Sequence, residues 1–270
     1  MNKYLIVLDL DGTLMSDLTT FDKETFEYLK KLNAEGHKIM IATGRPKRSS
    51  YFIYQLLGLH TPLINYNGAL VQNPTDSNFP TTDIRINRDD LLEIIEHNRQ
   101  YIINVFCEIH DDIYVQEYNS DIHDFLHVDG GIIHSGEIKD ILPDNPNGAL
   151  FFFDSSHINE FENYIKNEYH GNLFTRYWSI GPNHIVEVYN KLVDKRNGIK
   201  DAIEYYHIDK CNTIAIGDGH NDVGMLNSVA VKVAMKNAHP DLLKVADYIT
   251  DDVYHNGVLN FLKKFFENNK

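Results

Sequence analysis

LDLDGTLMS, residues 8–16, places two aspartates at the end of an apolar run from Tyr4 to Leu8, with glycine and threonine directly behind. Residues i and i+2 of a strand point to the same side, so Asp9 and Asp11 would share one side where the run ends. Ligands of open α/β sheets sit at the carboxyl ends of their strands. Two carboxylates so close repel one another unless a cation or a shared proton relieves them. Oxygen donors of this kind suit a hard cation such as Mg²⁺, which bridges protein carboxylates and substrate phosphates. An isolated D-x-D has a plainer reading, a pair of loop aspartates capping a turn.

Strand and helix patterns alternate through the first eighty residues. Phe26, Leu29 and Leu32 recur at helical spacing before Gly36, which fits a helix C-terminus. HKIMIATG (37–44) reads as a second short apolar strand, SSYFIYQLLGL (49–59) as a helix, and PLINYNGAL (62–70) as a third strand entering a turn. This rhythm predicts a Rossmann-like parallel sheet with helices on both faces. QNPTDSNFP (72–80) breaks it with the composition of a linker or exposed turn. Beyond it a helix near Asp89–Arg99 precedes YIINVFCEI and IYVQEY. A second, near Asn159–Tyr169, precedes NLFTRYWSI and HIVEVYN. Helix followed by hairpin, twice, predicts an α+β domain with an antiparallel sheet and helices on one face. The parallel rhythm resumes with GIKDAIEYY, NTIAIGDG and VKVAM. The expected organisation is a discontinuous core, residues 1–79 and 191–270, interrupted by an inserted domain at 80–190.

Composition narrows the function. The 270 residues carry 43% hydrophobic side chains, enough for a sizeable core, and a net charge of −14 from 39 acidic against 25 basic residues. That balance argues against nucleic acid or an anionic membrane as partner, since both require a basic face. It permits an anionic small substrate, because a pocket can be locally positive in an acidic protein. The N-terminal apolar run is too short for a signal-peptide core or a membrane span. Cys107 and Cys211 have no C-x-x-C spacing and are read as reduced packing residues rather than a disulfide. A cytoplasmic protein is expected, and nothing in the composition sets its oligomeric state.

The D-x-D is not isolated. IATGR puts Thr43 and Gly44 at the end of the second strand, where a hydroxyl and an unhindered backbone N–H could hold a phosphate. Lys195, in LVDKRNGIK, starts a helix and could supply a compensating charge. IAIGDGHNDVGML ends another strand with Asp218 and Asp222 flanking Asn221. Each cluster is weak alone, but four of them at strand ends or helix starts are hard to obtain by chance.

With these residues in place the chain closely resembles the haloacid dehalogenase superfamily, in its Cof-type phosphatase branch. DLDGT (9–13) resembles the first motif of that family, TGR (43–45) the second, Lys195 the third and GDGHND (217–222) the fourth. NGA (67–69) and AMKNAHPDLLKVADYIT (234–250) resemble flanking signatures, and the insertion has the size and place of the branch's large cap. The resemblance implies that Asp9 is a nucleophile forming an aspartyl-phosphate, and that Asp11 is the general acid and then base. It implies Mg²⁺ on Asp9, the Asp11 carbonyl and Asp218. Thr43, Gly44, Lys195, Asn221 and the Leu10 backbone would hold the phosphoryl oxygens, with Asp222 in support. The implied partner is a small phosphorylated metabolite such as a sugar phosphate. Leu192 and Arg196 stand where the family usually has glycine around the third-motif lysine, so the backbone path into Lys195 is a question for the structure.

Other features are assigned plainer roles. His123 and His127 share a helical spacing but lack a glutamate base and a third ligand, so a solvated face is expected. His220 is read as a turn residue and the FFF run (151–153) as a core strand. Arg176, Tyr177 and Trp178 could reach substrate, but alternate residues of a strand must also fill its core, and that packing role is the expectation. Two rivals remain open: a phosphohexomutase with the same motifs, and a non-enzymatic phospho-receiver, which is shorter and carries its aspartate on a later strand.

Overall fold

The computed structural model describes residues 2–119, 128, 130–153, 155–180 and 183–268. His123 and His127 lie outside the described residues, as do the side chain of Trp178 and the turn residues Gly181 and Pro182. The chain forms two compact units, one comprising 1–44, 50–82 and 194–270, the other 45–49 and 83–193. No described helix is long and apolar enough to cross a membrane.

In the first unit an eight-stranded sheet runs in the order β14 (Tyr248–Ile249), β13 (Val231–Ala234), β12, β1, β2, β3, β4, β5 (Thr82–Asp83). Its centre is β1 (Leu5–Leu8), flanked in parallel by β2 (Lys38–Ala42) and β12 (Thr213–Gly217). All four β1 residues are buried, as expected of a strand covered on both faces. One face packs on α1 (Lys23–Ala34), α2 (Lys47–Leu56) and α9 (Gly257–Asn268) through Phe26, Ile53 and Leu262. The other packs on α6 (Lys195–Tyr205), α7 (Val223–Asn227) and α8 (Pro240–Val245) through Ile199, Met225 and Leu242. The parallel sheet with helices on both faces is thus present.

Local signals account for the boundaries. Asp22 caps α1 by accepting from Thr25 N–H at 2.6 Å. The helix ends with His37 N–H on Leu32 O and Gly36 N–H on Asn33 O, and Gly36 takes φ +93°, the left-handed turn that glycine adopts without steric cost. After β3 (Leu63–Asn65) the chain turns back as β4 (Leu70–Gln72), antiparallel to β3, an extension that the strand–helix rhythm does not announce. QNPTDSNFP is not a loose linker. Phe79 is buried against Tyr205, and Asp76 accepts the Tyr205 hydroxyl at 2.7 Å. Its turn-forming composition is correct; its detachment is not, because one aromatic residue anchors it.

The second unit has a six-stranded sheet, β10-β11-β9-β6-β7-β8, with α3 (Arg88–Asn98), α4 (Ile138–Ile141) and α5 (Ile158–Glu168) on one face. Both predicted hairpins occur, β6 (Ile102–Ile109) with β7 (Asp112–Val115) and β10 (Leu173–Ile180) with β11 (Asn183–Asn190). β9 (Gly148–Phe153) contains the FFF run, with Phe151 and Phe153 in the helix-side core and Phe152 opposite. The sheet is not wholly antiparallel: β8 (Ile132–Ser135) joins β7 in parallel. Arg176 is paired with Glu187 at 3.0 Å and lies over the Tyr189 ring. Cys107 is buried, but Cys211 is exposed, so only the first is a packing residue; both are free thiols.

Candidate active site

Register brings the motifs to one edge. Leu8 aligns with Ile41 on one side and Ile216 on the other, so the residues just beyond the strands, Asp9, Thr43 and Asp218, emerge together. The chain runs outward from β1 through β2 on one side and through β12 on the other. β1 therefore stands beside the switch point where α/β sheets open a ligand crevice.

Lys195 lies at the centre of the polar cluster. It is 1% exposed, and its ammonium donates to Asp9 Oδ1 at 2.7 Å and to Asp222 Oδ1 at 2.6 Å. The path into it is secured by Asp194 together with Arg196, one of the two residues that stand where glycine was expected. Asp194 caps α6 by accepting from Arg196 N–H at 2.8 Å, and the Arg196 guanidinium returns to the same carboxylate at 2.6 Å. Arg196 thus reinforces the cap that aims Lys195 inward. Leu192 is 57% exposed, where its side chain obstructs nothing.

Asp222 is fully buried, and its second oxygen accepts from Asp218 N–H at 3.1 Å and Gly219 N–H at 2.9 Å. Both of its oxygens are committed to shaping the loop and holding Lys195. Asp218 accepts the Thr13 hydroxyl on Oδ1 at 2.9 Å and the Asn237 amide on Oδ2 at 3.2 Å. Gly12 at φ +78° allows this approach, since a Cβ there would overlap the Asp218 carboxylate. Asp11 has an exposed side chain, yet its charge is felt by both Asp9 and Asp218. The Leu10 side chain is buried, and its carbonyl closes the turn by accepting from Leu14 N–H at 2.9 Å and Met15 N–H at 2.8 Å.

Electrostatics mark this as a site short of positive charge. Burial, then the Asp222 charge, raises the Asp9 pKa well above the usual carboxylate range despite Lys195. Burial and Asp222 likewise push Asp218 up to about 7. Burial works against the Lys195 charge, but Asp222 and Asp9 outweigh it and hold its pKa above the ordinary lysine value. Carboxylate atoms of Asp9, Asp218 and Asp222 lie within 4.8 Å of one another. Oxygen donors whose ionisation is penalised fit a hard divalent cation, and with Asp222 committed elsewhere, Asp9 and Asp218 are the side chains that could hold one.

The Asp218 pKa of about 7 exceeds its unfolded value near 3.8, so between these limits the folded metal-free chain keeps a proton that the unfolded chain has lost. Stability of the metal-free protein should therefore decline as pH rises through that window. A cation on the carboxylates removes the penalty. The increase in Tm produced by Mg²⁺ over chelator should be larger at pH 8 than at pH 5.5. A gain that shrinks as pH rises would contradict this assignment.

Asn67 is the member that motif reading did not place in the site. Its Oδ1 accepts from Asn221 Nδ2 at 2.7 Å, and its backbone N–H donates to Thr43 O at 3.0 Å. A Cβ on Gly44 would sit 3.3 Å from the Asn67 amide. Tyr66, Asn67 and Gly68 take φ of +49°, +56° and +103°, a left-handed run that Asn and Gly tolerate and tyrosine resists. A Cβ on Gly68 would overlap the Asp194 carbonyl, so this glycine admits the start of α6. One strained turn thus ties together Thr43, Lys195 and Asn221. The Asn-Gly dipeptide announces the positive φ, but not these partners.

Asn67→Ala leaves the half-buried Asn221 amide without its acceptor, a loss of about 1–3 kcal/mol. Turnover should fall roughly 10–100-fold, as each ~1.4 kcal/mol is tenfold in rate. Asn67→Gly, which relieves the backbone, should lose as much activity while melting nearer to wild type. If Asn67→Gly restored activity, the side chain would be irrelevant.

Comparison with known proteins bears on this geometry. A family model for haloacid dehalogenase-like hydrolases matches residues 6–262. The chain is 30% identical over 264 residues to a 5-amino-6-(5-phospho-D-ribitylamino)uracil phosphatase of Bacillus subtilis, covering 97% of each. It is 25% identical to a phosphoglycolate phosphatase of Methanopyrus kandleri, again covering 97% of each. A haloacid dehalogenase-like hydrolase from Bacteroides thetaiotaomicron superposes with a TM-score of 0.82 at 22% identity, over 98% of this chain and 100% of that one.

Proposed function

The chain belongs to the haloacid dehalogenase-like hydrolases and is a phosphatase, and from that premise we propose that it hydrolyses small sugar- or sugar-alcohol-phosphate monoesters with Mg²⁺, through an aspartyl-phosphate on Asp9. The observation that carries this reading is the Lys195 ammonium, buried and bonded at 2.7 Å to a carboxylate at the aligned strand ends. A cation there favours the anionic form of Asp9, against burial and the Asp222 charge, and offers its remaining donor capacity to a phosphoryl oxygen. The substrate class rests on the Bacillus subtilis relative, whose named substrate is a phosphorylated ribityl compound.

In the first half-reaction an Asp9 carboxylate oxygen forms a bond to phosphorus while the bond to the leaving oxygen breaks. Asp11 gives its proton to that oxygen, which departs as an alcohol. In the second, Asp11 takes a proton from water, the water oxygen bonds to phosphorus, and the bond to Asp9 breaks to release phosphate. Thr43, the Gly44 and Leu10 N–H groups, Lys195 and the Asn221 amide hold the non-bridging oxygens throughout. Aligned donors of this kind do most of the work in phosphoryl transfer. Asp9, the Asp11 carbonyl and Asp218 would hold Mg²⁺, whose charge offsets that of the phosphoryl group and the clustered carboxylates. Asp222 orients Lys195.

A phosphate-release screen over sugar phosphates, sugar-alcohol phosphates, nucleotides and cofactor phosphates tests this reading. Activity should fall within the first two classes, vanish in chelator and return with Mg²⁺. Undiminished release in excess chelator would remove the metal from the reaction. An isomerised phosphate in place of inorganic phosphate would identify a mutase.

A further inference from the structure

A second cluster stands apart from the carboxylates. His220, in the fourth-motif turn, and His239 and Asp241, at the start of α8, have candidate ligand atoms within 4.8 Å of one another. Asp241 divides its two oxygens: Oδ1 accepts the Lys244 ammonium at 2.6 Å, while Oδ2 faces His220 Nδ1 at 3.4 Å and His239 Nδ1 at 3.8 Å. Tetrahedral bonds of about 2.0–2.1 Å require ligand atoms roughly 3.3 Å apart. The His220 pair already has that separation, and the His239 pair is close to it. The two rings meet edge to face, with centroids 5.2 Å apart.

The backbone holds the donors in place. His239 N–H donates to Asp218 O at 2.7 Å, which fastens the start of α8 to the turn carrying His220. Pro240 fixes the first helical position between His239 and Asp241. His239 Nδ1 accepts from Asp241 N–H at 3.2 Å, a long bond that an exposed imidazole can exchange for a metal bond by a small rotation.

We propose that His220, His239 and Asp241 form a site for a borderline-soft divalent ion, Zn²⁺ above all, distinct from the all-oxygen site of Asp9 and Asp218. Two imidazoles favour Zn²⁺, Ni²⁺ or Co²⁺ over Mg²⁺. Three protein donors at an exposed position leave a fourth place for water. An ion here would clamp the 220–222 turn to α8 and so stiffen both supports of Asp218. The inference goes beyond the phosphatase reading, and its readout is bound metal rather than turnover.

The test is calorimetric titration of Zn²⁺, and Co²⁺ absorption, in millimolar Mg²⁺ so that the oxygen site is filled. One zinc ion per chain is expected to bind, with a raised Tm. His220→Ala and His239→Ala should each weaken binding at least tenfold, since loss of even an outer partner typically costs about 10–100-fold. His255→Ala removes an exposed histidine paired with Asp252 at 2.6 Å and should change nothing. Circular dichroism checks that each variant is folded. Failure to bind zinc in Mg²⁺, or wild-type binding by the doubly substituted H220A/H239A chain, would overturn the proposal. In the second case the ion would belong to the carboxylates.

Discussion

Asp9→Asn should lower kcat/KM for every phosphate ester by about 10⁴-fold or more, as expected when the nucleophile of a covalent mechanism is removed. The amide keeps an oxygen where Lys195 donates at 2.7 Å, so the local geometry can survive. It also removes a carboxylate whose ionisation burial and Asp222 penalise. The metal-free variant should accordingly melt no lower than wild type at pH 8, far above the ordinary carboxylate pKa. Phosphate release, calorimetric melting and intact-protein mass separate chemistry from folding. No phosphoenzyme should form. More than about a tenth of wild-type turnover in a folded variant would place the nucleophile elsewhere, because a catalytic nucleophile is worth far more than tenfold.

The second large effect is expected at Asp11→Asn. The backbone carbonyl survives, so the metal should still bind, but the amide cannot exchange protons with the reacting oxygens. General acid–base catalysis is worth about 10²–10⁴-fold, or roughly 3–5 kcal/mol of barrier. An aryl phosphate leaves as a stable anion and needs little protonation, so its first half-reaction should suffer less than that of a sugar phosphate. Hydrolysis of the aspartyl-phosphate needs the base whatever the leaving group was. Rapid-quench kinetics should therefore show a burst of aryl alcohol, slow turnover and phosphate retained on Asp9. Equal losses for aryl and sugar phosphates, with no phosphoenzyme, would rule out the dual role. The exposed position of the Asp11 side chain is compatible with proton exchange in both half-reactions.

Much of the site was legible because it is written locally. Asp9, Thr43 and Asp218 each follow a short apolar run, and a strand of that length ends where the polar residues begin. Lys195 follows Asp194, a good N-cap residue, so its place at a helix start is also a short-range fact. The two predicted hairpins and the buried FFF run were readable for the same reason: alternation of side chains along a strand needs no knowledge of distant residues.

Partnership between distant segments came from packing alone. No periodicity states that β1 lies between β2 and β12, yet that order brings Asp218 to Asp9 across more than two hundred residues of chain. Pairing and register are chosen by burial summed over the whole sheet, which no short window contains. The same limit hid β4, the parallel seating of β8 and the burial of Phe79 in a segment of turn-forming composition. It also hid Asn67, whose sequence predicts a turn but whose worth lies in accepting from Asn221 at 2.7 Å, 154 residues away. The sharing of one ammonium between Asp9 and Asp222 was undetermined for a further reason: a buried charge must find its partners in the folded interior, and the chain supplies them from three separate segments. Residue types and strand ends were properties of the sequence; which charges face one another was a property of packing.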